Sequence, residues 1–379
     1  MIGKYLNHYN QAVNPDTRPE PGWDQWRALL SPLSYYDYDV SANGKRIHRG
    51  SGDRSYQTTY LNRKATDLAK RWVKKPDPFF VWLTPHAPHG EKRKTSGGTC
   101  SGKAVPAPGD EDLFGSAQLP RPPSFNERKI GDKPRFMRKL PRLKDGEIAE
   151  LERNHRCRLA SLREVDRGVK SLHHVVRKAG ELDNTIILFT SDNGLFGGEH
   201  RLKGGKRLPY REAYEVPMAA LIGKDVIAGG GPGRVGEPVA GIDLAPTFLE
   251  LAGGQPCESA GDCRRMDGRS LVSLLEGGGL PGNRGLLVEM QNCSYRAIQA
   301  DDQLYVEHRT TPVRATRTGG CRDREAVERY DLDADPFQLR NLGAGGVSPG
   351  LVTRLHELRD CSGIPGREPP PPPGIAYCE

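Results

Sequence analysis

Three short apolar runs and one long amphipathic segment constrain the fold of this sequence more than any other feature. The runs are PFFVWLT (78–84), TIILFTS (185–191) and PMAALIG (217–223). Each is continuous, as in a strand that is buried on both faces. Between the first two, apolar residues from Ile148 to Val176 recur at helical spacing, and Gly180 follows as a stop. Strand, helix and strand in this order predict a parallel sheet with covering helices.

The pattern changes after about residue 253. The segments GLLVEM, YRAIQADDQLYVEH and VERYDL predict short strands, with Asp301–Asp302 as a hairpin turn, and GLVTRLHELRDC predicts a final helix. At 379 residues the chain is long enough for two domains. We therefore predict an α/β domain with a doubly wound, mostly parallel sheet over residues 1–252, and a smaller antiparallel α+β domain over residues 253–379.

The charge of the chain leaves two interpretations open. The net charge is +8, and much of the basic surplus lies between residues 91 and 145. This segment is either a solvated loop surface or a region that attracts a sulfated or phosphorylated polymer. Nucleic acid is a poorer candidate, because no recognition motif accompanies the charge. No apolar run reaches the ~20 residues of a membrane span, and the first residues, MIGKYLNHYN, contain no signal peptide.

The cysteines indicate disulfides. Six of the eight cysteines follow residue 250, and no CxxC pair is present, which excludes a zinc ribbon. An even number in a small Gly/Pro-rich region is typical of an oxidising compartment. From their positions we predict the pairs Cys257–Cys263, Cys293–Cys321 and Cys361–Cys378.

The segment LFTSDNGLFGGEHRLKGGK (188–206) carries an unusual density of ligand-type side chains. Asp192 and Asn193 follow a predicted strand directly, and their oxygens suit Ca²⁺ or Mg²⁺ better than zinc. Taken by themselves, these two residues and Gly194 favour an ordinary Asp-Asn-Gly turn. The earlier run ends in LTPHAPHG, so His86 and His89 are predicted at the same sheet edge, where ligands of α/β proteins gather.

Several motifs in their order resemble the sulfatases, members of the alkaline-phosphatase-like superfamily. SDNG, GEHRL and GK…Y…E…VP match that family's pattern. GKYLNHY, PFFVWLTPHAPHG, PSFNERKIGDKP and RYDLDADPFQLRNL are similar to the branch that holds the N-acetylglucosamine-6-sulfatases, the extracellular endosulfatases and the algal arylsulfatases. The resemblance covers nearly the whole chain. It implies hydrolysis of a sulfated sugar, a sulfated polysaccharide or an aryl sulfate, in an extracellular, secretory or lysosome-like compartment.

The resemblance also implies roles for individual residues. Asp192 and Asn193 match two ligands of a single divalent cation, usually Ca²⁺. Lys206 matches the lysine that holds the sulfate and the nucleophile, and His89 matches the histidine near the leaving oxygen. We expect His200 on the substrate side, whereas His86, Glu199 and Lys203 are expected to be structural, surface or supporting residues.

Two elements of the family pattern are not found in these 379 residues. The nucleophile of the family is a formylglycine, made from a C/S-x-P-x-R motif, and no cysteine or serine here fits that motif. The acidic pair of metal ligands that normally precedes GKYLN is not seen either. We therefore expect a sulfatase sequence without its first part, which as given does not turn over sulfate esters. The alternatives are a non-catalytic polyanion-binding remnant, or a phosphodiesterase or phosphonate hydrolase of the same superfamily.

Overall fold

The computed structural model describes the chain except residues 8, 11–16, 92–97, 229–230, 232, 255–264, 281–283, 291–293, 309–325, 360, 364–370, 372 and 379. The chain folds into two compact units. The first comprises Met1–Pro120 and Lys144–Thr185, and the second comprises Arg121–Leu143 and Ile186–Glu379. This division follows proximity in space, and the predicted domain boundary at residue 252 stays a prediction.

The first unit contains a five-stranded sheet in the order β4-β3-β2-β1-β5. Its strands are β1 (Ile2–Gly3), β2 (Arg27–Leu29), β3 (Tyr38–Ala42), β4 (Lys45–Arg49) and β5 (Leu83–Thr84). β1 pairs in parallel with β2 and β5, whereas β3 pairs antiparallel with β2 and β4. The parallel part therefore lies where the predicted strand at 78–84 joins the sheet.

Helix α1 (Gln57–Trp72) packs on this sheet, and helix α3 (Asp145–Ala179) packs on α1. The predicted long helix is confirmed, and Gly180 ends it with φ 81° in the left-handed region that glycine favours. The two helices approach closely at Gly168, where a Cβ would lie 2.2 Å from Asn62 Oδ1. Asn62 Nδ2 in turn donates to the Glu164 carbonyl oxygen at 2.7 Å. A glycine at this position therefore lets α1 and α3 share one hydrogen-bonded contact.

The second unit contains two antiparallel sheets. β6 (Ile186–Phe189) pairs with β7 (Ala219–Ile222), and β8 to β11 form a four-stranded sheet in the order β11-β10-β9-β8. The strands of the larger sheet are β8 (Leu286–Glu289), β9 (Tyr295–Ala300), β10 (Gln303–His308) and β11 (Ala326–Asp331). The helices of this unit are α2 (Arg135–Arg138), α4 (Arg211–Tyr214), α5 (Leu244–Leu251), α6 (Val272–Leu275) and α7 (Pro349–Arg359).

The C-terminal predictions are confirmed in detail. Asp301 and Asp302 connect β9 to β10, with φ values of 48° and 57°. Positive φ at both central residues is the geometry that matches the twist of a two-residue hairpin. Helix α7 buries Leu355 and Leu358 against Ile298 and Tyr305 of this sheet.

The prediction that the three apolar runs are buried on both faces is wrong. Phe80 is 52% exposed, Phe189 is 43% exposed and Leu221 is 45% exposed. β5 and β6 also hydrogen-bond in different sheets, and β6 pairs with β7 antiparallel rather than in parallel. A continuous apolar run reports strand tendency, but it does not report which neighbours cover the strand.

Two disulfides lie in the described residues. Cys361–Cys378 is confirmed, whereas Cys100–Cys157 is not among the predicted pairs and links a loop to helix α3. The other two predicted pairs fall on cysteines outside the described residues. Of the helices that the structure describes, none combines the length and apolarity that crossing a bilayer requires.

Candidate functional site

The candidate site begins where β6 ends, in the loop that carries SDNG. Ser191 Oγ donates to the Asn193 carbonyl oxygen at 2.9 Å, and Asn193 Nδ2 donates to the Gly194 carbonyl oxygen at 2.9 Å. These short contacts close the turn locally, as is typical of Asn and Ser in turns. The Asp192 side chain is exposed, whereas Asn193 is half-buried.

Gly194 attaches this turn to helix α4. Its amide donates to the Ala213 carbonyl oxygen at 2.9 Å, and a Cβ at this position would lie 2.0 Å from the Glu212 carbonyl oxygen. No side chain fits at that distance, so the glycine allows the backbone of the turn to lie against α4. The DNG sequence is therefore more than a flexible connection, because Asn193 and Gly194 are each held by a specific contact.

The same loop returns and brings Lys206 to Asn193. The amide of Phe196 donates to the Gly205 carbonyl oxygen at 3.0 Å, which pairs the outgoing and returning parts of the loop. Lys206 Nζ then donates to Asn193 Oδ1. The structure thus brings together three of the predicted site residues, Asp192, Asn193 and Lys206, within one loop of the second unit.

The donor atoms of this loop fit part of a hard-cation site. Asp192 offers carboxylate oxygens, and Asn193 Oδ1 accepts from the Lys206 ammonium. Within the described ranges, no group of three or more His, Cys, Asp or Glu side chains has metal-site geometry. The residues present would hold Ca²⁺ or Mg²⁺ only as part of a larger set of oxygen ligands.

His200 lies in the interior, on a different side of the same loop. Its side chain is fully buried, its ring stacks on Tyr210 at 4.1 Å, and its Nδ1 lies 2.7 Å from Glu127 Oε2. Its Nε2 lies 3.7 Å from Glu212 Oε2, within ion-pair range but beyond a hydrogen bond. His200 is predicted on the substrate side; the structure surrounds it with protein atoms, and that role stays a prediction.

The buried carboxylates control the protonation of His200. Burial lowers the pKa of His200, but Glu127 and Glu212 raise it by more, so the pKa lies above its ordinary value. Burial raises the pKa of Glu212, yet the imidazolium of His200 lowers it below its ordinary value. Burial also raises the pKa of Glu199, whose Oε2 accepts the Gly197 amide at 2.6 Å. The pKa shifts of His200 and Glu212 both favour an imidazolium at His200 beside the carboxylates of Glu127 and Glu212.

His89 belongs to the first unit and lies after β5. Its side chain is exposed, and Nδ1 lies 2.7 Å from the Gly90 carbonyl oxygen. Because a carbonyl can only accept, Nδ1 carries the proton in this contact and Nε2 points away from it. The Tyr35 hydroxyl donates to the His89 carbonyl oxygen at 2.8 Å, and His86 is buried beside it, with the ring centroids 4.9 Å apart. His86 thus lies in an environment that suits its expected structural role.

Sequence reasoning missed Glu127 and Glu212 as partners of His200. Both lie inside segments that carried the resemblance, PSFNERKIGDKP and Y…E…VP, but they are 73 and 12 residues from His200 along the chain. The isolated bridge between Phe125 and Glu199 brings the Glu127 segment to the His200 loop, and Ser124 Oγ donates to Glu212 Oε1 at 2.9 Å. The sequence does show acidic residues in both motifs. It shows no local pattern that would pair either of them with a histidine.

The fold of the chain is similar to that of a solved structure. The solved structure of BT4656, in complex with its substrate D-glucosamine-2-N,6-O-disulfate, superposes with a TM-score of 0.67 at 22% identity, over 94% of this chain and 78% of that one. The chain therefore has the alkaline-phosphatase-like α/β fold with an additional antiparallel sheet, and the predicted fold class is confirmed.

The family follows from the sequence matches. The Sulfatase family model matches residues 1–254, so the chain belongs to the sulfatase family. It is 30% identical over 403 residues to the N-acetylglucosamine-6-sulfatase of Bos taurus, covering 97% of this chain and 67% of that protein. It is also 30% identical over 286 residues to a putative extracellular sulfatase, a Sulf-1 homolog of Caenorhabditis elegans, covering 72% of this chain but only 35% of that protein. The chain thus spans about a third to two thirds of these relatives.

Proposed function

We propose that this protein acts in the hydrolysis of sulfate esters on sugars, with the SDNG and GK loop as part of its active site. The observation that carries the proposal is the contact of Lys206 Nζ with Asn193 Oδ1, next to the exposed Asp192. It sets an ammonium, an amide oxygen and a carboxylate side by side in a chain of the sulfatase family. These are the charges that a sulfate monoester and its cation require.

Each residue has a stated task in this proposal. Asp192 and Asn193 supply oxygens to a divalent cation, Ca²⁺ or Mg²⁺, which when bound stabilises negative charge as a Lewis acid. Lys206 neutralises the sulfate oxygens, whose charge must be compensated while the S–O bond breaks. His89 is assigned to the leaving oxygen, because its Nδ1 is held by the Gly90 carbonyl and its Nε2 remains to transfer a proton.

The proposed substrate class is a sulfated sugar or polysaccharide. A relative is named N-acetylglucosamine-6-sulfatase, and the similar solved structure holds a disulfated glucosamine. We further propose an extracellular, secretory or lysosome-like location, because the disulfides Cys100–Cys157 and Cys361–Cys378 are typical of an oxidising compartment. An aryl sulfate serves as the test substrate with the simplest readout.

The test must supply the nucleophile, since the 379 residues contain no C/S-x-P-x-R motif. The chain would be produced together with a segment that carries this motif and an acidic pair, in a host that makes formylglycine. Release of sulfate from an aryl sulfate and from 6-sulfated N-acetylglucosamine, dependent on Ca²⁺, is the expected result. The 379-residue chain alone is expected to show none.

Two other results would point elsewhere. Hydrolysis of phosphate diesters or phosphonate esters without hydrolysis of sulfate esters would favour the other hydrolases of the superfamily. Binding of sulfated polymers with no hydrolysis of any ester, in a preparation shown to contain formylglycine, would favour a binding protein. The basic surplus between residues 91 and 145 is the feature that keeps this second candidate in view.

A further inference from the structure

A basic pocket lies within the second unit, outside the SDNG turn. Its volume is ≈ 1000 Å³, and it is bordered by residues 131–139, by the loop at Arg207 and Leu208, and by the ends of β9, β10 and β11. Arg207 directly follows Lys206 in the chain, so the pocket begins one residue beyond the proposed sulfate-binding lysine. Consecutive Cα atoms are ~3.8 Å apart.

The charge of this pocket is one-sided. Four of its basic residues are exposed, namely Arg135, Arg138, Lys139 and Arg207. Among the residues that the structure describes, the side chains of these four make no ion pair or hydrogen bond. Among the described lining residues the acidic one is Asp132, whose Oδ2 accepts the Asn341 backbone amide at 2.6 Å. The pocket therefore presents several unneutralised positive charges to solvent.

The interior beneath these side chains is already neutralised. Lys133 is buried, and its Nζ donates to the Tyr330 hydroxyl at 3.1 Å and to the Gln338 carbonyl oxygen. Glu328 lies 2.6 Å from His308 Nε2 and accepts from the Tyr210 hydroxyl at 3.0 Å. Burial raises the pKa of Glu328, but His308, Tyr330 and Lys133 lower it below its ordinary value. The buried charged groups below the pocket are therefore paired with one another, and the exposed basic residues remain to bind a ligand.

One wall of the pocket is apolar. Phe136 is 36% exposed, and its ring meets the His308 ring edge-on at 5.3 Å. Tyr295 and Leu208 continue this wall. A pocket that needed to hold only a small inorganic anion would gain nothing from aromatic and aliphatic surface. A ring with apolar C–H faces and anionic substituents matches both properties.

We propose that this pocket binds the sulfate and carboxylate groups of a sulfated polysaccharide, beyond the sugar that carries the reacting ester. Three of its four exposed bases are arginines, whose planar fork pairs with oxyanions in two parallel hydrogen bonds. This inference rests on the proposed function, because it assigns the neighbouring Lys206 to the reacting sulfate. The inference predicts a substrate longer than a monosaccharide, with one anionic group at Lys206 and others in the basic pocket.

The test is equilibrium binding of a size-defined heparin-type hexasaccharide to the 379-residue chain. The pocket variant carries R135Q, R138Q, K139Q and R207Q. The matched control carries K70Q, R71Q, K74Q and K75Q, which remove the same charge from exposed residues at the end of α1. We expect the dissociation constant to rise at least about tenfold in the pocket variant and less than about twofold in the control. The dissociation constant should also depend less on salt concentration in the pocket variant but not in the control, because fewer counterions are displaced on binding.

Three outcomes would overturn this inference. Equal losses in the two variants would mean that binding follows net charge alone. Unchanged binding in the pocket variant, with equal urea unfolding midpoints, would mean that the pocket does not bind the polymer. Equal affinity for a single-stranded DNA of the same charge, lost in the same variant, would replace the ligand class by nucleic acid. Because the binding measurement needs no turnover, it can be interpreted even if the sulfatase assay fails. Release of sulfate from a monosaccharide would support the proposed function but not polymer binding in this pocket.

Discussion

Two sets of motif residues, which meet in the loop that carries His200 and Lys206, have opposite environments. The exposed edge is defined by Asp192, Asn193 and Lys206; Asp192 is exposed, and Asn193 and Lys206 are half-buried. The buried cluster, defined by Glu127, His200 and Glu212, lies within the second unit and connects three segments of the chain. Both carry charged side chains that sequence patterns associate with chemistry.

This difference shows that charged residues of one motif can serve either the site or the stability of the fold. The exposed edge can reach a substrate or a cation, and we expect its substitution to affect activity more than stability. The buried cluster holds a charge that has no access to solvent, so its free energy depends on its partners. A histidine in a family motif can therefore stabilise the loop that carries the site residues without contacting the substrate itself. Experiments that measure activity and stability separately should distinguish the two sets.

The largest effect is expected at the exposed edge. In the enzyme assembled with a formylglycine segment, D192A or K206A should lower kcat/KM for an aryl sulfate by about 10³-fold or more, because electrostatic stabilisation of the transition state is lost. The free energy of unfolding should change by less than about 0.5 kcal/mol, as for other surface substitutions. K203A, at the exposed lysine three residues earlier, is the matched control and should retain activity. A fully active K206A enzyme would refute the assignment of the edge.

The buried cluster should show the reverse. H200A removes the cation between Glu127 and Glu212, and breaking a buried pair in this way typically costs about 3–5 kcal/mol of unfolding free energy. Urea denaturation of the second unit would measure the loss. H174A, at an exposed histidine of α3, should be within about 0.5 kcal/mol of wild type. Wild-type stability of H200A together with a raised KM would instead support contact of His200 with substrate.

Gly194 joins the two sets, because it packs the SDNG turn against α4. G194A forces a Cβ toward the Glu212 carbonyl oxygen and should destabilise the second unit by about 1–3 kcal/mol, as overpacking does. Because Asn193 precedes it, activity should fall as well. G233A, where nothing lies within 4 Å of the added methyl group, is the matched control and should leave both stability and activity unchanged. A G194A enzyme with normal stability and activity would show that the turn does not depend on this contact.

The smallest effect is a pH dependence of stability. The folded pKa of His200 lies above 6.5, so its contribution is complete below pH 6.5 and is lost as pH rises through the folded value. The folded pKa of Glu212 lies below 4.5, so its contribution is present above pH 4.5 and is lost as pH falls through the folded value. The difference in unfolding free energy between wild type and H200Q should therefore be largest between pH 4.5 and 6.5 and should shrink at high pH, in urea titrations at each pH. A difference that grows with pH would contradict the imidazolium assignment.

Local patterns along the chain were sufficient for much of the architecture. The long helix up to Gly180, the hairpin at Asp301–Asp302 and the disulfide Cys361–Cys378 depend on residues near one another in sequence, so periodicity, turn chemistry and spacing predict them. The motif order was likewise enough to predict the sulfatase family, which the family model confirms.

Burial and long-range pairing required the folded chain. Phe80 and Phe189 belong to apolar runs, yet they are exposed, because exposure depends on which distant segments cover a strand. Cys100 and Cys157 are separated by 57 residues, and no spacing rule links them. His200 stands in the same loop as Lys206, but the pairing of its segment with Ser124 and Phe125 places Glu127 beside it and removes it from solvent. Side-chain type is a property of the sequence, whereas the electric field and the solvent that act on a side chain come from residues that folding brings near.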